Sequence, residues 1–301
     1  MLKQVMEIIE LVDTAGVDGS RVVELLKERG ADETEVKKEK STDFVKIHLY
    51  GKNEDAPTVG IIGRLGGIGA QPHRTGIVSD ADGAITALSC ALKLAEMKQE
   101  GNTLNGDVII ATHICPHAPI ISHEPVPFMG SPVTMEEMNR QEVDERMDAI
   151  LTIDTTKGNR LLNYCGFAIT PTVKEGYILR VSEDLLNIME WTTGKPPRVF
   201  PITTQDITPY GNEVFHINSI LQPSTATEAP VVGVAITTEA AVPGCTTGAS
   251  HETDIEEAAR YCIEVVKAFT EGKCSFYNKK EFAKLVSLYG GMRVLQTPGT
   301  E

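Results

Sequence analysis

Apolar residues recur along the chain in two rhythms. At the start, Leu2, Val5, Met6, Ile9 and Leu11 fall on or near one helical face, which predicts a helix over Met1 to Val12. Ser20 then stands as an expected N-cap before Arg21 to Arg29, with Gly30 as the stop. From Phe44 to Tyr50 the rhythm changes. Phe, Val, Ile and Leu alternate with polar residues in a slightly broken pattern, which reads as a half-exposed strand. Pro57 precedes TVGII, a continuous apolar run of buried-strand length. The connection GRLGGIGAQPHRTG, residues 63–76, has five glycines in fourteen positions and predicts turns that side chains would forbid.

Asp82 reads as the cap of a helix from Gly83 to Gln99, whose apolar face is Ile85, Leu88, Ala91, Leu92 and Ala95. Gly106-Asp107 turns the chain into a buried strand at 108–112. The segment HICPHAP and the proline-rich PVPFMGSPV follow. A charged helix is expected from Thr134 to Met147, opened by a Thr134–Glu137 capping box. Ala149 to Ile153 is a further buried strand and ends at Asp154. Strands are expected near 177–181, 199–202 and 231–237. Helices are expected at Ser182–Trp191, with Trp191 in the core, at Asp254–Phe269 and at 279–289. This alternation predicts an α/β fold with a mixed central sheet and helices on both faces, three layers in all. A single domain is expected over 1–290, with 291–301 a loose tail.

Charge and composition narrow the function classes. A net charge of −14 repels phosphate backbones, so nucleic acid is not an expected partner. No apolar run approaches the roughly 20 residues of a membrane span. The amphipathic, acidic N-terminus is unlike a signal peptide, so a cytoplasmic location is expected. The six cysteines are scattered and form no CxxC pair, unlike a disulfide framework or a thiolate zinc site.

Candidate chemistry sits where the strands end, since open α/β sheets place function there. Gly63-Arg64 follows TVGII, Ser79-Asp80-Ala81-Asp82 follows the glycine-rich loop, and His113 follows VIIAT. Asp154 follows AILTI, and Ser250-His251 precedes a helix. Two carboxylates and two histidines at one sheet edge are a donor set for a divalent transition metal, most simply zinc. Each also has a local reading. Asp80 fits a turn, Asp154 an Asx-turn, and His251 a position near an N-cap. Cys115 between two histidines is a weaker candidate nucleophile.

The order and spacing of SDADGAITALSCALKLAE, LTIDTT and GASHETDIEEAARYCIEVVKAF resemble the co-catalytic zinc aminopeptidase clan, in its tetrahedral and leucyl aminopeptidase branches. That resemblance implies the clan's α/β fold and gives Asp80, Asp154 and His251 as metal ligands. The clan's His-x-Asp falls at Arg64 and Gly66 here, and its Glu-Glu pair falls in HICPHAP, which has no acid. THICPHAP and PVPFMGSPV also resemble hallmarks of an uncharacterised domain-of-unknown-function family of bacterial and archaeal proteins.

Two readings follow from the resemblance. In one, a rebuilt zinc site serves a hydrolase of peptide or acyl-amino-acid amide bonds. His113 would complete the metal set, His113 and His117 would move protons, and Arg64 and His73 would hold the substrate. In the other, catalysis and metal are lost and the pocket binds a small amino-acid-like or peptide ligand. There Arg64 takes the metal's place beside Asp80 and Asp154. A homo-oligomer is expected on either reading.

Overall fold

The computed structural model describes residues 1–14, 16–64, 66–68, 70–71 and 76–300. Helices α1 (Leu2–Val12) and α2 (Gly19–Glu28) open the chain. Asp18, one residue before α2, caps it in place of Ser20, accepting the Arg21 N–H. Strand β1 (Glu33–Glu39) pairs antiparallel with β2 (Thr42–Leu49). The polar run ETEVKKE has no apolar alternation, so the pattern does not announce β1. Its charges suit an exposed sheet edge, where they discourage pairing with other chains.

Next come β3 (Val59–Gly63), the two-residue β4 (Ala70–Gln71) and α3 (Asp82–Gln99). Strand β5 (Val108–Ile114) runs past its expected end and takes in His113. Strands β6 (Ala118–Ile121) and β7 (Phe128–Met129) make a small second sheet with β4. Helix α4 (Met135–Glu142) carries the expected Thr134–Glu137 capping box but stops five residues short of Met147. Strand β8 (Ala149–Thr155) follows. Then come the short strands β9 (Gly166–Ile169), β10 (Val173–Lys174) and β11 (Tyr177–Ile178).

After α5 (Glu183–Thr193), the segment expected as a strand at 199–202 contributes only a bridge between Val199 and Ile169. Strand β12 (Val231–Thr237) and helices α6 (Glu252–Thr270) and α7 (Lys279–Tyr289) complete the chain. Residues expected as a loose tail instead form a 3-10 turn at Arg293–Gln296. There the Gln296 side-chain amide donates to the Ser224 and Thr227 carbonyls at 2.8 Å each.

The main sheet runs β1-β2-β5-β3-β8-β12-β10-β11, with β9 also on β12. Its centre, β5-β3-β8-β12, is parallel, and its flanks are antiparallel. Burial on both faces explains why these four strands read as unbroken apolar runs. On one face, Ile61, Ile110, Leu151 and Val234 pack against Leu88, Ala91, Ile263 and Val266 of α3 and α6. The other face carries Ile62, Ile109, Ile150 and Ala235. It is covered by Phe200, by Ile207 and Ile220 of two 3-10 turns, and by Met147. Trp191 is not in either core but 77% exposed on α5. Its neighbours on the helix, Ile188 and Met189, take the buried side.

Candidate active site at the carboxyl ends of the central strands

Strand register places the candidate residues. Gly63 stands opposite Thr112 of β5 and Ile153 of β8. One step further, Arg64, His113 and Asp154 lie side by side across the three neighbouring strands, at roughly 4.8 Å per strand. Side chains two apart share a face. Since Ile62, Ile109 and Ile150 face the second layer, Arg64, His113 and Asp154 do too. Three polar side chains thus line up where the strands leave the sheet.

The row divides into two clusters. In the first, the His113 Nε2 accepts the Gly66 N–H at 3.2 Å, which leaves the ring proton on Nδ1, donated to Glu142 Oε1 at 2.6 Å. Both ring nitrogens are therefore engaged. Arg64 is 1% exposed, and its guanidinium runs under α4. It donates to Asn139 Oδ1 and lies 3.3 Å from Glu142 Oε2. Gly66 is required here, because a Cβ at this position would collide with the His113 carbonyl. HICPHAP has no acid of its own, yet α4 supplies one to His113 from twenty-nine residues downstream.

The second cluster surrounds Asp154. Its carboxylate accepts the Thr155 N–H at 2.7 Å and the Ser219 hydroxyl at 2.7 Å. Burial pushes its carboxyl up to about 7, with the charge of Asp80 adding to the rise. The Ser219, Thr155 and Arg64 contacts oppose it. Asp80, 8% exposed, sits in the 3-10 turn Ser79–Ala81 that leads into α3. Its N–H donates to the Gly244 carbonyl at 3.2 Å, and a Cβ on Gly244 would overlap the Asp80 carboxylate. Burial pushes Asp80 up to about 7 as well, against the charge of Lys157.

Asp82 is not a helix cap. It is the first residue of α3, wholly buried, with Lys157 Nζ 3.3 Å from its Oδ2 and the Ser250 hydroxyl donating to its Oδ1. Burial still outweighs these partners and pushes its carboxyl up to about 6. His251 stands beside this group at the N-cap of α6, exposed, with Nδ1 3.2 Å from Asp254 Oδ2. Tyr210, stacked on His216 with ring centroids 4.3 Å apart, completes the surroundings. Burial and the charges of Asp154 and Asp206 push its phenol upward.

The structure therefore brings Asp80 and Asp154 together, with Asp82 and His251 alongside. His113 and Arg64 go to a separate cluster with Glu142. His117 is exposed on the loop after β5, and His73 lies outside the described residues. Burial raises the Cys115 thiol, the opposite of the shift an activated nucleophile needs. The sequence pattern points to no role for Glu142, Lys157 or Ser219, and it places Ser250 beside His251 without assigning it a partner. Only TIDTTKG held a visible signal, a cation three residues beyond a strand-end aspartate.

Among the described residues, no group of three or more His, Cys, Asp or Glu side chains is disposed to hold a metal ion. The reason is visible in the partners. His113 has no lone pair to spare, His251 turns to Asp254, and Asp82 is taken by a lysine and a serine. The described donor set does not fit a zinc centre. A groove of 1490 Å³ opens at the opposite, amino ends of the strands near Pro57, Asp148 and Pro230. Several of its charges are paired locally, as in Arg146 with Asp144 and Arg293 with Glu175. No described helix is long and apolar enough to cross a membrane.

No curated protein matches the chain. Among solved structures, the bottromycin maturation enzyme BotP is similar in fold, with a TM-score of 0.56 and 14% identity. That match spans 89% of this chain and 70% of that one. The LapA aminopeptidase of Legionella pneumophila overlaps with a TM-score of 0.49 and 13% identity, over 92% of this chain and 70% of that one. These likenesses concern the fold. At the level of sequence, residues 33–299 match the family described as "Protein of unknown function (DUF1177)", and the chain belongs to that family.

Proposed function

We propose that the carboxylate pair at the ends of β3 and β8 binds a small amino-acid-like or peptide ligand through its ammonium group, without turning it over. One observation carries this reading. Asp80 and Asp154 are buried together with carboxyls pushed up to about 7, so among the described residues burial outweighs the positive charge that faces them. A cation arriving from solution relieves that deficit and holds both groups ionised. An ammonium matches the chemistry, since carboxylates accept its hydrogen bonds and the pair supplies charge as well as acceptors. Ser219 and the Thr155 N–H fix the orientation of Asp154, and Gly244 lets Asp80 lie close to its turn.

The test is a thermal-shift and calorimetric series with free amino acids and dipeptides against their N-acetylated forms. Free amines are expected to raise the Tm and acetylated forms to leave it unmoved. Binding is expected to tighten as pH rises through about 7, because the carboxyl pair then ionises without help. Equal binding of acetylated ligands, or release of a cleaved product, refutes the reading.

A second reading, a metal-dependent hydrolase of peptide or acyl-amino-acid amide bonds, is favoured by the fold shared with a maturation enzyme. It needs Asp80, Asp154 and His251 to be joined by a donor outside the described residues, with His73 the candidate. Metal content and peptide turnover of the purified chain distinguish the two.

A further inference from the structure

The main sheet ends differently at its two edges. β11 is two residues long and lies beside α7. The Tyr177 hydroxyl donates to the Gly290 carbonyl at 2.5 Å, and its ring meets Phe282 edge-on with centroids 6.0 Å apart. β1 is seven residues long, and among the described strands it pairs with β2 alone. The outer side of such an edge presents backbone N–H and C=O groups to another strand. Val36, at the midpoint of β1, turns toward α2, where a Cβ on Gly19 would stand 3.0 Å from its Cγ1. Glu33, Glu35, Lys37 and Glu39 therefore share the other face. Glu35 and Lys37 flank the midpoint, both more than half exposed and 3.2 Å apart.

These charges turn away a strand of arbitrary sequence, but they match one strand well: β1 itself, reversed. Antiparallel pairing about Val36 sets Glu35 opposite Lys37 of the partner subunit, and Lys37 opposite the partner's Glu35. That register uses all seven residues. The next registers that keep each side chain on its own face centre on Glu35 or Lys37. They set like charges opposite each other at the axis and pair only residues 33–37 or 35–39. In the midpoint register Glu33 meets the partner's Glu39 at the ends, but each has its own donor: the Tyr50 hydroxyl on Glu33 at 2.6 Å, and Arg140 3.6 Å from Glu39. We infer that β1 is the interface between two copies of this chain, paired antiparallel about a two-fold axis at Val36 so that two main sheets become one. Such an interface is self-complementary, as two-fold symmetry requires. Backbone hydrogen bonds supply the affinity, and the Glu35–Lys37 pairs fix the register. β2 and β5 separate β1 from β3, so the inference does not depend on what the carboxylate pair binds.

Sedimentation equilibrium of the full chain over a concentration series reads both the mass and the dissociation constant. Wild type is expected to reach twice the 32.7 kDa of one chain. Glu35→Lys sets lysine against lysine across the axis, and Lys37→Glu sets glutamate against glutamate. Each is expected to raise the dissociation constant about tenfold or more. Both positions are exposed, so circular dichroism and Tm of each variant should match wild type. Mixed in equal amounts, the two variants place opposite charges across the axis again, and a heterodimer of wild-type affinity is expected. A wild-type chain that stays monomeric at millimolar concentration overturns the inference. So does a mixture that forms no heterodimer. A dimer that both charge reversals leave intact also overturns it, because the contact then lies on another surface.

Discussion

Replacing Asp154 by asparagine should stabilise the ligand-free protein at alkaline pH and do little in acid. The group titrates at about 7 in the folded chain against an ordinary value of 3.8. Between those values the folded state holds a proton that the unfolded state has released, so stability falls as pH rises through the window. A single isolated group with that shift would cost about 4 kcal/mol above pH 7. Asp80 shares the same field, and one proton on either group relieves the other. A gain of about 2 to 4 kcal/mol is therefore expected for Asp154→Asn at pH 8.5. Geometry allows the exchange. The amide oxygen can keep the Thr155 N–H, and the Ser219 hydroxyl can rotate to accept from the new NH2. Urea unfolding of both proteins at about pH 4 and pH 8.5 measures the difference. Near pH 4, close to the ordinary carboxylate value, the gap should mostly close. A variant less stable than wild type at pH 8.5, or a gap independent of pH, refutes the idea that burial strains this carboxylate.

Three further outcomes are expected. Glu142→Gln leaves Arg64 buried with its carboxylate partner gone and removes the acceptor charge opposite His113. It should lose about 3 kcal/mol or more in urea unfolding, and a loss under about 1 kcal/mol would count against the cluster. Gly244→Ala puts a methyl where the Asp80 carboxylate lies, so amine binding should weaken at least tenfold in calorimetry while far-UV circular dichroism is unchanged; undiminished affinity would remove Asp80 from the ligand site. The chain's only tryptophan, Trp191, is 77% exposed, so its emission maximum should lie near that of free indole and move little on unfolding. A blue-shifted native spectrum would mean that another surface covers α5.

How much of this was legible in the sequence depends on what kind of signal each element leaves. β3, β5, β8 and β12 announced themselves because burial on both faces demands unbroken apolar runs. β1 left no such signal, since an edge strand of charged residues is held by backbone pairing with β2 and not by its side chains. α4 read too long because its charged pattern continues to Met147, whereas the chain turns at Val143 to bring Met147 into the second core. Trp191 was misplaced because α5 buries one narrow stripe, and an indole at its margin looks the same in a helical projection.

The site shows the same asymmetry. Asp80 and Asp154 could be read from strand ends, where position alone constrains them. The partners that decide their chemistry could not, because Lys157, Ser219 and Ser250 reach them from loops whose paths the sequence does not specify. His113 illustrates the cost of reading residue types without partners. In the sequence it was a histidine at a strand end, with a lone pair to offer. In the fold Gly66 and Glu142 take both nitrogens, and the acid absent from its own segment arrives from α4.

Charge accounting at the sheet edge ties these observations to function. Glu142 answers Arg64, and Lys157 answers Asp82. Among the described residues, Asp80 and Asp154 remain, with their ionised forms favoured by hydrogen bonds to Asp154 and by the charges of Lys157 and Arg64, both already paired with other acids. A fold that merely tolerated these two acids could replace either by asparagine and gain stability above neutral pH. Keeping both at that cost makes sense where a positive group from outside completes the set. On the proposed reading, the useful property of this carboxylate pair is its unmet demand for a cation, and the free energy of meeting that demand is what a ligand would supply on binding.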